Sequence, residues 1–224
     1  MKPYYCEDGV TIYWGDCREI LTEVSADALI TDPPYGVDLG VSNNQAEDST
    51  HLHKSSYLSY EDSYENFVAV VVPSLSIGLS RVKCGAVFTG PHIHEQRKPT
   101  AIGGVWHPSA VGRTPWGSKN FLPVLFYGNP PNAGRHRPTV ISSTAISEVN
   151  GHPCPKPIEW LYWLVELSCR VGGMVLDPFM GSGTTLVAAK NLGRQAIGIE
   201  IEERYCEIAA KRLSQRVLPF EYTA

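Results

Sequence analysis

Apolar and polar positions alternate over "VTIYWGD" (10–16), the signature of a strand with one buried face, and "CREIL" after it starts a short helix. "ADALITD" (26–32) reads as the next strand and as a buried one. Residues 37–60 lose all periodicity around "SNNQAEDSTHLHKSS", which is long for a passive connection, so a functional loop or partial disorder is expected there. "YEDSYENFVAVVVPSL" (60–75) opens as an amphipathic helix, although its "VAVVV" run fits a buried strand equally well. "CGAVFTG" (84–90) is a strand. Between 91 and 150, Pro, Gly, Arg and His prevail, and only "LPVLFYG" (122–128) predicts a strand.

The last third is more regular. "KPIEWLYWLVELSCRV" (156–171) predicts a helix with Pro157 near its first turn, where the missing N–H costs nothing. Its Trp160, Trp163, Leu164 and Leu167 form a stripe expected to face the core. "GGMVLD" (172–177) is a buried strand, "TTLVAAKNLG" (184–193) a helix stopped by Gly193, "QAIGIE" (195–200) a strand, and "EERYCEIAAKRLSQRV" (202–217) a closing helix. Strands alternating with helices over 224 residues fit one α/β domain.

Charge adds a second pattern. The net charge is −4, but residues 1–80 carry 3 Lys/Arg against 13 Asp/Glu, and residues 81–137 carry 8 against 1. His92, His94, His107 and His136 lie in that basic segment too. Such asymmetry is expected of a phosphate-facing patch on an otherwise acidic body. The six cysteines (Cys6, Cys17, Cys84, Cys154, Cys169, Cys206) form no C-x-x-C pair, which favours reduced thiols in a cytoplasm over a disulfide frame or zinc site. Neither "HLH" (51–53) nor "HIH" (92–94) has partners at metal-ligand spacing, so no metal is expected. No apolar run is long enough for a membrane span, and "MKPYYCEDGV" lacks the apolar core of a signal peptide.

Two constellations carry chemistry. "LDPFMGSGTTLVAAKNLGRQAIGIE" is a strand, a glycine turn, a helix, a strand and an acid. Gly181 and Gly183 allow close approach of a ligand, and Glu200 stands where an acid grips ribose hydroxyls in nucleotide-binding folds. No Gly-Lys-Ser/Thr follows, so the turn is not a P-loop. In "LITDPPYGVDLG" (29–40), a carboxylate, two prolines and a ring leave a buried strand in succession. An exocyclic base amine is a poor nucleophile until acceptors hold its N–H bonds. Asp32 and the Pro33 carbonyl supply two acceptors, Pro33 and Pro34 stiffen the backbone that aims them, and Tyr35 can stack on an extruded base.

"DPPY" at 32–35 with "DPFMGSGTT" at 177–185 resembles the amino-group (N6-adenine/N4-cytosine) DNA methyltransferases in their β arrangement, where the catalytic half precedes the cofactor half. "HPCPKP" (152–157) and "GD" (15–16) resemble two further elements of that family. Cys154 and Pro155 stand where members often carry polar residues. The resemblance implies a Rossmann-like α/β fold with a mostly parallel sheet and permuted motif order, S-adenosylmethionine as cofactor, and double-stranded DNA with a flipped base as substrate. It places Asp32, Pro33, Pro34 and Tyr35 at the catalytic wall. Asp177, Phe179, Gly181, Ser182, Gly183, Thr184 and Thr185 fall at the cofactor, Glu200 at its ribose and Asp16 at its adenine. His152 and Lys156 are read as bracing the helix entry.

A target-recognition insertion is expected at about 91–150, with the basic segment 81–137 facing DNA. Trp106 and Trp116 fit either DNA contact or loop anchoring. The resemblance, in which adenine enzymes usually begin the tetrapeptide with Asp or Asn and cytosine-N4 enzymes more often with Ser, implies from Asp32 adenine N6 over cytosine N4, within a restriction–modification role. A homodimer is compatible with these readings. Two other readings compete: a nicotinamide-dependent oxidoreductase, which leaves "DPPY" unexplained, and a DNA-binding protein without catalysis.

Overall fold

The computed structural model describes residues 1–38, 61–131, 137–147 and 155–215. The readings of residues 39–60, the "HLH" triplet, His136, His152 and Cys154 therefore lie outside the described residues.

Nine strands form the main sheet, in the order β1-β2-β11-β10-β3-β4-β8-β5-β9. They are β1 (Tyr5–Glu7), β2 (Val10–Trp14), β3 (Ala28–Thr31), β4 (Cys84–Phe88), β5 (Ala101–Trp106), β8 (Phe121–Gly128), β9 (Val140–Ser142), β10 (Met174–Asp177) and β11 (Gln195–Glu200). β6 (Arg113–Thr114) and β7 (Gly117–Ser118) pair apart from it as a hairpin. The run β2-β11-β10-β3-β4 is wholly parallel. β1 and β8 run antiparallel to their neighbours, while β5 and β9 pair in parallel. β2 and β3 are consecutive in the chain, yet β11 and β10 lie between them in the sheet.

Both faces of the parallel strands are apolar, and alternate residues feed two cores. Ala28, Ile30, Ala86, Phe88 and Val175 pack on one side with α4 (Ile158–Ser168), α5 (Thr184–Asn191) and α6 (Glu203–Ser214). Leu29, Val87, Leu176 and Ile199 pack on the other with α1 (Cys17–Ile20), α3 (Val72–Ser80) and the Phe67–Val71 turn that links α3 to α2 (Tyr64–Asn66). Strands buried on both faces need helices on both faces, and the result is a three-layer α/β/α arrangement.

Several expectations need correcting. "VAVVV" is no strand: Phe67–Val71 form a π-helical turn joining α2 to α3. The buried face of α4 is Trp160, Leu161, Leu164, Val165 and Ser168, with Trp163 and Leu167 only partly covered. β1, β5 and β9 of the main sheet are not signalled by the sequence pattern, and β5 is hidden by its own glycines. A Cβ on Gly103 would meet the Thr139 carbonyl oxygen at 1.9 Å, and one on Gly104 the Leu122 oxygen at 2.3 Å. Close approach of two neighbouring strands demands glycine here, where glycine ordinarily signals a turn.

Within 91–150, β5, β8 and β9 belong to the main sheet. Between β5 and β8 the chain leaves it as the β6–β7 hairpin. β5 and β4 are both antiparallel to β8, so β5 ends at the same edge of the sheet as β3 and β10.

Candidate active site

The crossover from β10 through α5 to β11 and the crossover from β3 through α2 and α3 to β4 leave adjacent strands in opposite directions, over opposite faces. The divergence opens a crevice beyond the carboxyl ends of β3 and β10, the place where parallel α/β sheets hold ligands. A cleft of about 330 Å³ lies there. Its walls bring together Asp16, Asp32, Pro33, Pro34, Tyr35, Asp177, Phe179, Gly181, Ser182, Thr184, Thr185 and Glu200. Gly183 is the exception: it caps α5 with φ 78°, and a Cβ there would meet the Ala209 Cβ at 2.8 Å. Its lack of a side chain serves the packing of α6 instead of lining the cleft.

Asp177 closes β10 and is buried. Its Oδ1 accepts from the Thr31 hydroxyl at 2.6 Å and from the Phe179 N–H at 3.1 Å, tying the glycine turn to β3. Burial pushes this carboxyl up to about 6, with the Asp32 charge adding to the rise. Glu200, at the end of β11, accepts the Gly181 N–H on one oxygen and the Glu202 N–H on the other, each at 2.9 Å. Burial pushes Glu200 up to about 7 against those two bonds. Each of its oxygens keeps a lone pair for a hydroxyl donor.

Asp16 caps α1 by accepting the Arg18 N–H at 2.9 Å, and its carboxylate also takes the Arg18 guanidinium, which holds it below the usual carboxylate range. Arg18 lines the cleft as well. Asp16 thus serves the cleft as half of an ion pair, which its residue type alone did not signal.

The Asp32–Tyr35 wall is held from behind. Asp62 is buried and accepts the Gly36 N–H at 2.7 Å, and the His92 Nε2 lies 3.1 Å from the Gly36 carbonyl oxygen. A Cβ on Gly90 would meet the Tyr35 Cβ at 2.8 Å, so β4 ends directly against the ring. The Tyr35 hydroxyl donates to Asp32 Oδ1 at 2.5 Å, and the Lys156 ammonium is bonded to Asp32 Oδ2. Lys156 was expected to brace a helix entry; the structure sets it in the cleft, on the carboxylate. The one sequence signal was its place between two prolines, the residue type that also follows Asp32.

Residues 92–211 match the N6/N4 methylase family, described as DNA methylase. The chain belongs to that family. It is similar to the type II methyltransferase M2.DpnII of Streptococcus pneumoniae, 27% identical over 247 residues, which covers 95% of this chain and 92% of that protein. A shorter stretch of 64 residues is 47% identical to the type II methyltransferase M.HinfI of Haemophilus influenzae, covering 29% of this chain and 18% of that one.

Two solved structures share the fold. The M1.HpyAVI–SAM complex matches with a TM-score of 0.62 at 22% identity, covering 92% of this chain and all of that one. The cytosine-N4-specific PvuII DNA methyltransferase matches with a TM-score of 0.68 at 14% identity, covering 97% and 90%. This chain is thus a DNA methyltransferase of the N6/N4 family with a mostly parallel, Rossmann-like sheet. No helix among the described residues is long and apolar enough to cross a membrane.

Proposed function

We propose that this DNA methyltransferase uses S-adenosylmethionine to methylate the N6 amine of adenine, in a type II modification role like that of its named relatives. One observation carries the reading: the Asp32–Tyr35 wall and the Asp177–Glu200 glycine turn open into a single cleft.

The cofactor fits the donors and acceptors present. Glu200 offers buried acceptor lone pairs for ribose hydroxyls, and Gly181 adds no side chain beside them. Asp16 and Arg18 offer a paired charge at the purine end, and Phe179 an apolar surface. When bound, the cofactor supplies a methyl group made electrophilic by a sulfonium. The chain's own residues do the rest. Asp32 Oδ1 and the Pro33 carbonyl accept the two N–H bonds of the base amine, which turns its lone pair out of the ring toward the methyl group. Tyr35 stacks on the base, which has to leave its helix to reach this depth. The nitrogen would gain the methyl group as the methyl–sulfur bond breaks and leaves a neutral thioether, and would give up one proton to solvent; no covalent bond to the enzyme forms.

Adenine N6 and cytosine N4 are both conjugated amines that a carboxylate and a carbonyl can hold. Asp at position 32 is what favours adenine. Duplex DNA treated with the protein and methyl-labelled cofactor, then digested to nucleosides, should carry its label in 6-methyladenine. Label in 4-methylcytosine alone would overturn the choice of base and leave the methyltransferase standing.

The β6–β7 hairpin is the proposed DNA-contacting part of the recognition segment, since it leaves the sheet at the edge where the cleft opens. Its root is fixed: the His107 N–H donates to the Asn120 carbonyl at 2.7 Å, the Asn120 amide donates back at 2.9 Å, and the His107 ring lies 6.3 Å from Trp160 of α4. Its tip carries Trp116, 98% exposed, with Arg113 and Lys119 on the two arms. An indole left wholly in water beside two cations suits a base stack and its phosphates. Reversing Arg113 and Lys119 to Glu should lower the slope of log affinity against log salt by about 2, as for two lost phosphate contacts. A slope that stays unchanged would move the DNA track elsewhere.

A further inference from the structure

Lys156 lies just before α4, between Pro155 and Pro157, and only 14% of its side chain is exposed. An ammonium is rarely withdrawn that far from water without a specific use for its charge. It is bonded to Asp32 Oδ2 and lies 5.7 Å from the Tyr35 ring centroid and 5.8 Å from that of Phe88. The backbone that delivers it is pinned on both sides. The Pro155 carbonyl accepts the Ser147 hydroxyl at 2.5 Å, and Trp160, one turn into α4, donates its indole N–H to Ser143 at 2.9 Å.

The two oxygens of Asp32 are therefore held differently. Oδ1 has a neutral hydroxyl donor, from Tyr35, whereas Oδ2 has a charged one. A charge-assisted hydrogen bond is about twice as strong as a neutral one. A base amine is itself a neutral donor, so it can replace the hydroxyl at little cost but not the ammonium.

We propose that Lys156 is a positioning residue for methyl transfer: it clamps Oδ2 of Asp32 and thereby aims Oδ1 at the target amine. The Tyr35 hydroxyl occupies Oδ1 until the base arrives and yields it, while the ring stays to stack. The proposal rests on the methyltransferase reading above, and its test keeps the two apart.

The full-length protein and its Lys156→Met and Lys156→Arg variants would be compared for methyl transfer to duplex DNA, with cofactor affinity measured by calorimetry. Lys156→Met should lower kcat on the order of 10²-fold, the cost of slight misplacement at a reacting centre. Its DNA KM and cofactor Kd should change less than about threefold. Lys156→Arg, which keeps a cationic donor, should recover kcat to within about tenfold of the wild type. A Lys156→Met kcat near that of the wild type would overturn the proposal, as would a Lys156→Arg variant no better than Lys156→Met. Loss of cofactor binding in both variants would reduce Lys156 to a structural part and also overturn it. A wild type that transfers no methyl group to DNA would overturn the methyltransferase reading itself.

Discussion

Replacing Asp32 with alanine is expected to lower kcat by about 10²–10³-fold, the scale for removing one preorganised polar group from a reacting centre. Cofactor affinity should stay within about threefold of the wild type, because Asp32 ends β3 whereas the proposed cofactor wall ends β10 and β11. The variant also removes the carboxylate paired with the Lys156 ammonium, whose side chain is 14% exposed, so its unfolding midpoint should fall. Adding Lys156→Met should restore the midpoint and leave the activity lost. Single-turnover transfer, calorimetry and thermal melts on the two variants check each part. Transfer at a rate near that of the wild type in Asp32→Ala would remove Asp32 from the reaction.

The second large effect belongs to Glu200. Glu200→Ala should weaken cofactor binding by about 1–3 kcal/mol, the range for losing hydrogen bonds to a charged group. It also leaves the Gly181 and Glu202 N–H groups without their carboxylate. Burial holds the native carboxyl near 7, well above its ordinary value of 4.5. Between those two values the folded protein binds more protons than the unfolded chain, so Glu200 subtracts stability as pH rises through that window. Ribose hydroxyls donate hydrogen bonds and so prefer the ionised acid. Cofactor affinity should therefore rise as pH rises through about 7, with a proton released on binding. Calorimetry in buffers of different ionisation enthalpy measures that proton, and Glu200→Gln should abolish its release. An affinity that is flat in pH would take Glu200 off the ribose.

Both walls of the cleft were legible because their physics is local. Prolines at 33 and 34 restrict the backbone wherever they stand, and the turn at 181–183 announces itself by composition. Gly183 shows the limit of that kind of reading, since a glycine that admits a ligand and one that admits a helix look alike in sequence. β5 was missed for the same reason, because its glycines answer to two neighbouring strands that sequence spacing does not reveal. The Lys156–Asp32 pair spans 124 positions, and only the adjacency of β10 and β3 explains why α4 delivers its lysine there. Asp16 lines the cleft, and its pairing with Arg18, two residues on, follows the capping pattern of a helix N-terminus.

The position of β10 and β11 has a consequence for biosynthesis. These strands fill the slot between β2 and β3, yet they are made long after β3. At ribosomal speeds the interval between completing β3 and completing β11 is roughly 10–30 s. Until β11 and β10 are made, β2 and β3 lack the neighbours they have in the finished sheet, and an unpaired strand edge is a template for a wrong partner. The cleft needs the ends of both β3 and β10, so it can be complete only once β10 and β11 have been made and inserted. The same geometry suggests a practical use: an N-terminal piece ending before α4 should stay silent until a separately made C-terminal piece supplies the missing strands, which would place DNA marking under the control of fragment assembly.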